Sequence, residues 1–143
     1  MTLPNKHSTL IALDTSGPAC SVALLAGGNT LQTYELEAQK HTREILPLLD
    51  KLLQKGGIDK NAVEGIIISA GPGAFTGLRV GAAVAMGLAA AWDVPTLPVS
   101  SLALLAATVR RHSGAGKILA VMDARMGEVY AGLYENGECV GAD

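Results

Sequence analysis

The sequence predicts an α/β fold with a mixed sheet, and three observations predict it. The first third of the chain holds three short runs of strand-forming residues joined by turn-forming ones. Beyond them, segments with helical periodicity alternate with short apolar runs, the pattern of a sheet with helices packed on its faces. The chain of 143 residues is 49% hydrophobic and 17% charged, against about 25% charged in ordinary soluble domains. It therefore has the material for a buried core and does not have the composition of a disordered segment.

The elements follow in order. Thr9 to Asp14 is an apolar run ending in a carboxylate, and Thr15 to Pro18 reads as a turn. Cys20 to Ala26 is the second run, closed by Gly27, Gly28 and Asn29, which supply the positive φ angles of a tight hairpin. Leu31 to Glu37 alternates as a third strand. Next, Ile45, Leu48, Leu49, Leu52 and Leu53 recur at i, i+3, i+4, i+7 and i+8, one helical stripe that Leu46 widens. Thr42 is its expected N-cap, Glu44 suits the first turn, and Lys55 and Gly56 suit the end. Pro47 removes a backbone donor, so the helix is expected to start near it or to kink there.

Gly65 to Ser69 is apolar up to its last residue, which suits a central strand. Gly71, Pro72 and Gly73 break it, and a second helix runs from Phe75 to Trp92, stopping before Asp93, Val94 and Pro95. Val94 to Val99 carries two prolines and reads as a weak or edge strand. Ser100 and Ser101 cap a third helix, Leu102 to His112, whose Arg110, Arg111 and His112 suit its negative end, with Gly114 as the stop. Ile118 to Met122 and Val129 to Tyr134 are strands, Asn136-Gly137 is a hairpin turn, and Glu138 to Val140 is its return. The order βββαβαβα, followed by more strands, is the ribonuclease-H-like layout.

Charge and composition exclude several functions. A net charge of −2 and 3% aromatic residues argue against a stand-alone nucleic-acid binder. Cys20 and Cys139, far apart, form neither a zinc motif nor a redox pair, and a reduced state is expected. Residues 1–8 have no apolar core of a signal peptide, and the Gly-interrupted stretch Val80 to Trp92 is read as too short to span a bilayer. A cytoplasmic protein is expected.

The segments that could carry chemistry are few. Ser69 to Arg79 is a glycine-rich loop entering a helix, which could present backbone N–H groups to an anion. It lacks the Gly-Lys-Ser/Thr of a P-loop, and Thr76 holds the third glycine position of a dinucleotide fingerprint. The ordinary alternative is a turn that lets the next helix pack closely. That helix repeats Gly73, Gly77, Gly81, Ala85 and Ala89 at every fourth residue. Helical glycine costs about 1 kcal/mol relative to alanine, so Gly77, Gly81 and Gly87 require close packing, against the chain's own sheet or a second chain. Because the helix is apolar on nearly every side, at least one face is expected to meet a partner. Asp14, Thr15 and Ser16 form a weak phosphate-loop-like segment, equally ordinary as a turn. A two-metal nuclease would need further carboxylates there, and the fourth strand ends in Ser69. Asp123 to Tyr130 clusters Asp, Arg and Glu around one turn, as a recognition site or a loop tied by its own ion pair. His7, His41 and His112 make no HExxH motif, and neither a nucleophile elbow nor a Cys/His pairing with local context is present. A complete enzyme is not expected.

Taken together, several segments resemble one family. They are Ile11 to Ser16 with Cys20 to Leu24, His41 followed by Ile45-Leu46-Pro47, Gly71 to Gly81 (GPGAFTGLRVG), Pro98 to Leu102, and Asp123 to Tyr130 (DARMGEVY). Nearly the whole chain, in the right order, is similar to the bacterial TsaB (YeaZ) proteins. The resemblance implies one lobe of an actin-like (ASKHA) two-lobed fold: a tail at 1–8, the ribonuclease-H-like lobe at 9–112, and the truncated start of a second lobe at 113–143. It implies a non-catalytic scaffold in making threonylcarbamoyladenosine in tRNA, pairing with the TsaD transferase and joined by the TsaE ATPase, with homodimers when alone. The metal-binding segment of TsaD reads roughly Pro-Val-Asn-His-x-x-x-His; here Ser101 and Leu105 stand at the histidine positions, so no metal and no cofactor is expected. The implied partner surface uses Ile45, Leu46, Leu49 and Leu53 of the first helix with Phe75, Gly77, Leu78, Gly81 and Ala85 of the second. The runner-up function is an ATP-dependent phosphotransferase lobe of the same superfamily, using Asp14 and the glycine loop.

Overall fold

The computed structural model describes residue 5, residues 7–35 and residues 41–142. The first sheet has five strands in the order β3-β2-β1-β4-β5: β1 (Leu10–Asp14), β2 (Cys20–Ala26), β3 (Asn29–Glu35), β4 (Gly65–Ser69) and β5 (Thr96–Val99). The first three form the expected antiparallel meander, with Leu13 opposite Val22. Leu36 and Glu37, the end of the expected third strand, lie outside the described residues, as does most of the tail. β4 then pairs with β1 in parallel, Ile11 beside Ile66, and β5 extends the sheet from β4. β5 starts at Thr96, just after Pro95, and Pro98 sits within it, tolerated because the strand is at the sheet edge.

Alternation along the strands puts Ile11, Leu13, Val22, Leu24 and Ile66 on one face, and this face carries the main core. Two helices cover it, α1 (His41–Gly56) and α2 (Phe75–Trp92). The α1 stripe seals it: Ile45, Leu48, Leu49, Leu52 and Leu53 are all buried. This helix starts earlier than expected. Thr42 lies within it, and it runs through Pro47. The amide that Pro47 lacks would have bonded the carbonyl of Arg43; both residues are exposed, so water can serve that carbonyl. A short 3₁₀ turn, Lys60–Ala62, capped by the Asp59 side chain, was not anticipated.

The third helix, α3 (Ser101–Ser113), is N-capped by Ser100, which accepts from the Ala103 amide, and ends on Gly114 at φ 69°. It covers a second, antiparallel sheet in the order β6-β7-β8: β6 (Lys117–Arg125), β7 (Glu128–Glu135) and β8 (Glu138–Ala142). β6 and β7 run further into their shared turn than expected, and β8 continues past Val140 to Ala142; both turns are tight. Arg125, Met126 and Gly127 all take positive φ at one end, Asn136 and Gly137 at the other. Leu102 and Ala106 of α3 bury against Ala120 and Tyr134, a cluster separate from the main core. The boundary expected at 112/113 thus falls between a helix and the strands on which it packs. Cys20 is buried and Cys139 exposed, and they form no disulfide.

Candidate functional site

The chemistry-bearing segments meet where β1, β4 and β5 end. Ser16 leaves β1, Gly71 to Ala74 link β4 to α2, and Ser100-Ser101 link β5 to α3. Parallel strands deliver these loops to one edge of the sheet. They are tied there by backbone bonds: the Ala74 amide donates to the Ser16 carbonyl at 2.7 Å, and the Ser101 amide to the Gly71 carbonyl at 2.8 Å. Gly71, at φ 89°, has the conformation glycine tolerates best. A Cβ at Gly73 would collide with Ser16, so the loop is a close-packed turn.

Three buried hydroxyls run beneath these loops. Ser69 Oγ lies 2.8 Å from Ser101 Oγ, which donates to Ser16 Oγ at 3.5 Å. Thr15 is buried as well, its hydroxyl donating to the Gly77 carbonyl at 2.7 Å. The Ser16 amide donates to Asp14 Oδ1 at 2.9 Å. Of the three phosphate-loop-like residues, then, Thr15 is turned away from solvent and bonded to α2, while Asp14 accepts from its own turn. An open cleft of about 1020 Å³ separates Ser16, Gly73 and Thr76 from the β6–β7 hairpin, where Asp123, Arg125 and Tyr130 form the far wall. In the hairpin, Asp123 Oδ1 accepts from the Arg125 amide at 2.7 Å, a turn-stabilising bond.

The metal positions of the resembled transferase do not suit a metal in this chain. Ser101 is engaged with Ser69, and Leu105 offers no donor atom. Among the described residues, no cluster of three His, Cys, Asp or Glu side chains could hold a metal ion.

The expected partner surface needs correction. Ile45, Leu49 and Leu53 belong to the chain's own core, as do Gly77, Gly81 and Ala85, because the strongest apolar stripe of each helix faces the sheet. A Cβ at Gly81 would strike Thr15 and press on Ile68, so the glycine ridge fits this sheet. What points outward is Leu46, 49% exposed, and Phe75, 73% exposed, with Leu78 half-buried. The reading missed Met86, 68% exposed. The signal was available: half a helical turn from the glycine ridge lie Arg79, Ala83, Met86 and Ala90, all exposed. Arg79 stacks over Phe75 at 5.2 Å from the ring centroid. A groove of about 600 Å³ lies between Leu46 and Leu53 of α1 and Leu88 and Trp92 at the end of α2, while Phe75, at the start of α2, lines the cleft facing the β6–β7 hairpin.

Helix α2 also corrects an expectation about membranes. Its 18 residues are long and apolar enough to cross one, by length and composition. Only Gly77, Gly81 and Ala85 are buried, and they pack on the sheet.

A mixed sheet of βββαβαβα order, with a second sheet across a cleft from its strand-end loops, defines an actin-like α/β fold. A family model described as "TsaD: tRNA N6-adenosine threonylcarbamoyltransferase" matches residues 33–141. The Haemophilus influenzae protein named tRNA threonylcarbamoyladenosine biosynthesis protein TsaB is 46% identical over 125 residues, 87% of this chain and 53% of that protein. Its Escherichia coli namesake is 40% identical over 129 residues, 90% of this chain and 56% of that one. The structure of YeaZ from Pseudomonas aeruginosa superposes with a TM-score of 0.87 at 46% identity, covering 95% of this chain and 64% of that one. The ethanolamine utilization protein EutJ of Carboxydothermus hydrogenoformans, at TM-score 0.53 and 14% identity over 99% of this chain and 52% of its own, shares the fold. The chain belongs to the TsaB (YeaZ) family, within the wider group matched by the TsaD model. It spans about half the length of the curated relatives it matches.

Proposed function

We propose that the chain acts in tRNA threonylcarbamoyladenosine biosynthesis as a non-catalytic docking subunit. It pairs with the TsaD transferase, accepts the TsaE ATPase into that complex, and meets tRNA only there, in the cytoplasm. Two copies pair through the same surface when TsaD is absent. One observation carries this reading: α2 is apolar nearly all round, yet buries only Gly77, Gly81 and Ala85 in its own chain. Phe75 and Met86 are left as outward apolar side chains on α2, and Leu46 of α1 stands exposed at a groove it shares with Leu88 and Trp92. Exposed large side chains grouped beside a groove mark interaction sites more often than idle surface. The non-catalytic reading is supported by Ser101 and Leu105, which supply no metal-binding group, and by Thr15, whose hydroxyl is bonded to Gly77. The last point also weakens the phosphotransferase alternative, as does the tight packing of Gly73 on Ser16.

The test is to mix the chain with TsaD of the same organism and to measure association by calorimetry and threonylcarbamoyladenosine in tRNA by mass spectrometry. A complex at micromolar concentration is expected, weakened at least about tenfold by Met86→Asp or Leu46→Asp. The reading fails if no complex forms, or if both variants bind like the parent.

A further inference from the structure

The groove at the end of α2 is lined by apolar side chains, among them Leu53, Leu88 and Trp92, and by the exposed charged residues Asp50, Asp59 and Lys60. Among the described residues, none of these three charged side chains forms an ion pair. Asp50 Oδ2 accepts from Gln54 Nε2 at 2.9 Å, and Asp59 Oδ1 accepts from the Asn61 amide at 2.7 Å. Each carboxylate keeps its other oxygen for a donor from outside. The lining thus holds two negative charges against one positive. Trp92 lies about 25 Å along the helix from Phe75, at 1.5 Å per residue. Since Phe75 lines the cleft facing the β6–β7 hairpin, the groove sits at the end of α2 remote from the second sheet. Next to Leu88 stands Gly87, exposed, where a Cβ would meet nothing. Glycine weakens a helix relative to alanine, and the chain's own packing gives no reason for it here, in contrast to Gly81 against Thr15. Room for a second backbone is such a reason.

We propose that this groove receives a helix of the transferase partner that crosses α2 at Gly87, sets a large apolar side chain against Trp92 and holds a Lys or Arg, about one turn along, against Asp50 and Asp59. The inference rests on the docking reading above and adds the chemistry of the partner. A groove bounded by two helices takes a third by packing ridges into it. Apolar lining alone accepts any large apolar side chain. Covering Asp50 strips water from a carboxylate, which costs free energy unless a cation arrives with the cover. The acidic groove therefore favours a basic helix and rejects a neutral or acidic one of the same shape.

The sequence has one tryptophan, so a fluorine label on Trp92 gives a single resonance. With the chain dilute enough to sediment as a monomer, adding unlabelled TsaD is expected to shift that resonance. By calorimetry, Asp50→Asn is expected to weaken the complex about threefold and to flatten its dependence on salt, and Asp50→Lys to weaken it about tenfold. Gly87→Leu is expected to weaken it about tenfold while the melting temperature of the free chain holds or rises. A complex that leaves the resonance in place, or that binds the Asp50→Lys and Gly87→Leu chains like the parent, overturns this inference and leaves the docking reading standing. A free chain that melts lower with Gly87→Leu overturns the crossing at Gly87. Absence of any complex overturns both readings.

Discussion

The two sheets solve the same problem differently. The first buries large side chains under two helices: Ile11, Leu13, Val22, Leu24 and Ile66 meet Ile45, Leu48, Leu49 and Leu52 with almost no exposure. The second rests on one helix through Leu102, Ala106, Ala120 and Tyr134, and leaves Leu119, Val129 and Leu133 in solvent. The comparison teaches that burial divides along the chain: among the described residues most of the large buried side chains lie in the first half, and many of the exposed apolar ones lie on α2 and the second sheet.

Substitutions can break or sharpen that contrast. The largest effect is expected in the first core: Ile45→Ala should cost about 4 kcal/mol in urea unfolding. In the second cluster, Leu102→Ala should cost about 2 to 3 kcal/mol. Hydrogen exchange should then show β6 to β8 opening before β1 to β4, because the two clusters share no buried residue. Equal exchange in both sheets would mean that they unfold as one unit. Gly81→Ala places a methyl group against Thr15 and Ile68 and is expected to cost about 2 kcal/mol in thermal unfolding. Ser69→Ala removes one partner of Ser101 and should cost about 1 kcal/mol by the same measurement. Gly87→Ala, in open space on α2, should stabilise by up to about 1 kcal/mol. Opposite signs for Gly81 and Gly87 would separate the inward from the outward side of this helix.

Most of the fold was legible because its signals are local. The leucine spacing of α1 marks a helix and its buried stripe, and Gly27, Gly28, Asn136 and Gly137 mark turns through their positive φ angles. The start of α1 was misread because Pro47 forbids a donor but not a helix whose orphaned carbonyl faces water. The site was legible only in part. Ser16, Ser69 and Ser101 are far apart in sequence and look like unrelated turn residues until parallel pairing of β1 with β4 brings their ends together. Most of the residues expected at a partner surface turned out to be core residues for a different reason. Periodicity shows that a helix has an apolar side but not whether its own sheet or another molecule takes it, and both helices gave their strongest stripe to the sheet.

The bond from Thr15 to the Gly77 carbonyl reaches further than its size suggests. It anchors the first turn of α2 at a fixed azimuth, while Gly81 lets the axis settle close to β1. Which side chains look outward at Met86, about 14 Å further along the rod at 1.5 Å per residue, is therefore decided at its root. A methyl in place of that one hydroxyl, as in Thr15→Val, would leave every outward residue chemically intact and still let the helix roll, blurring the address it displays.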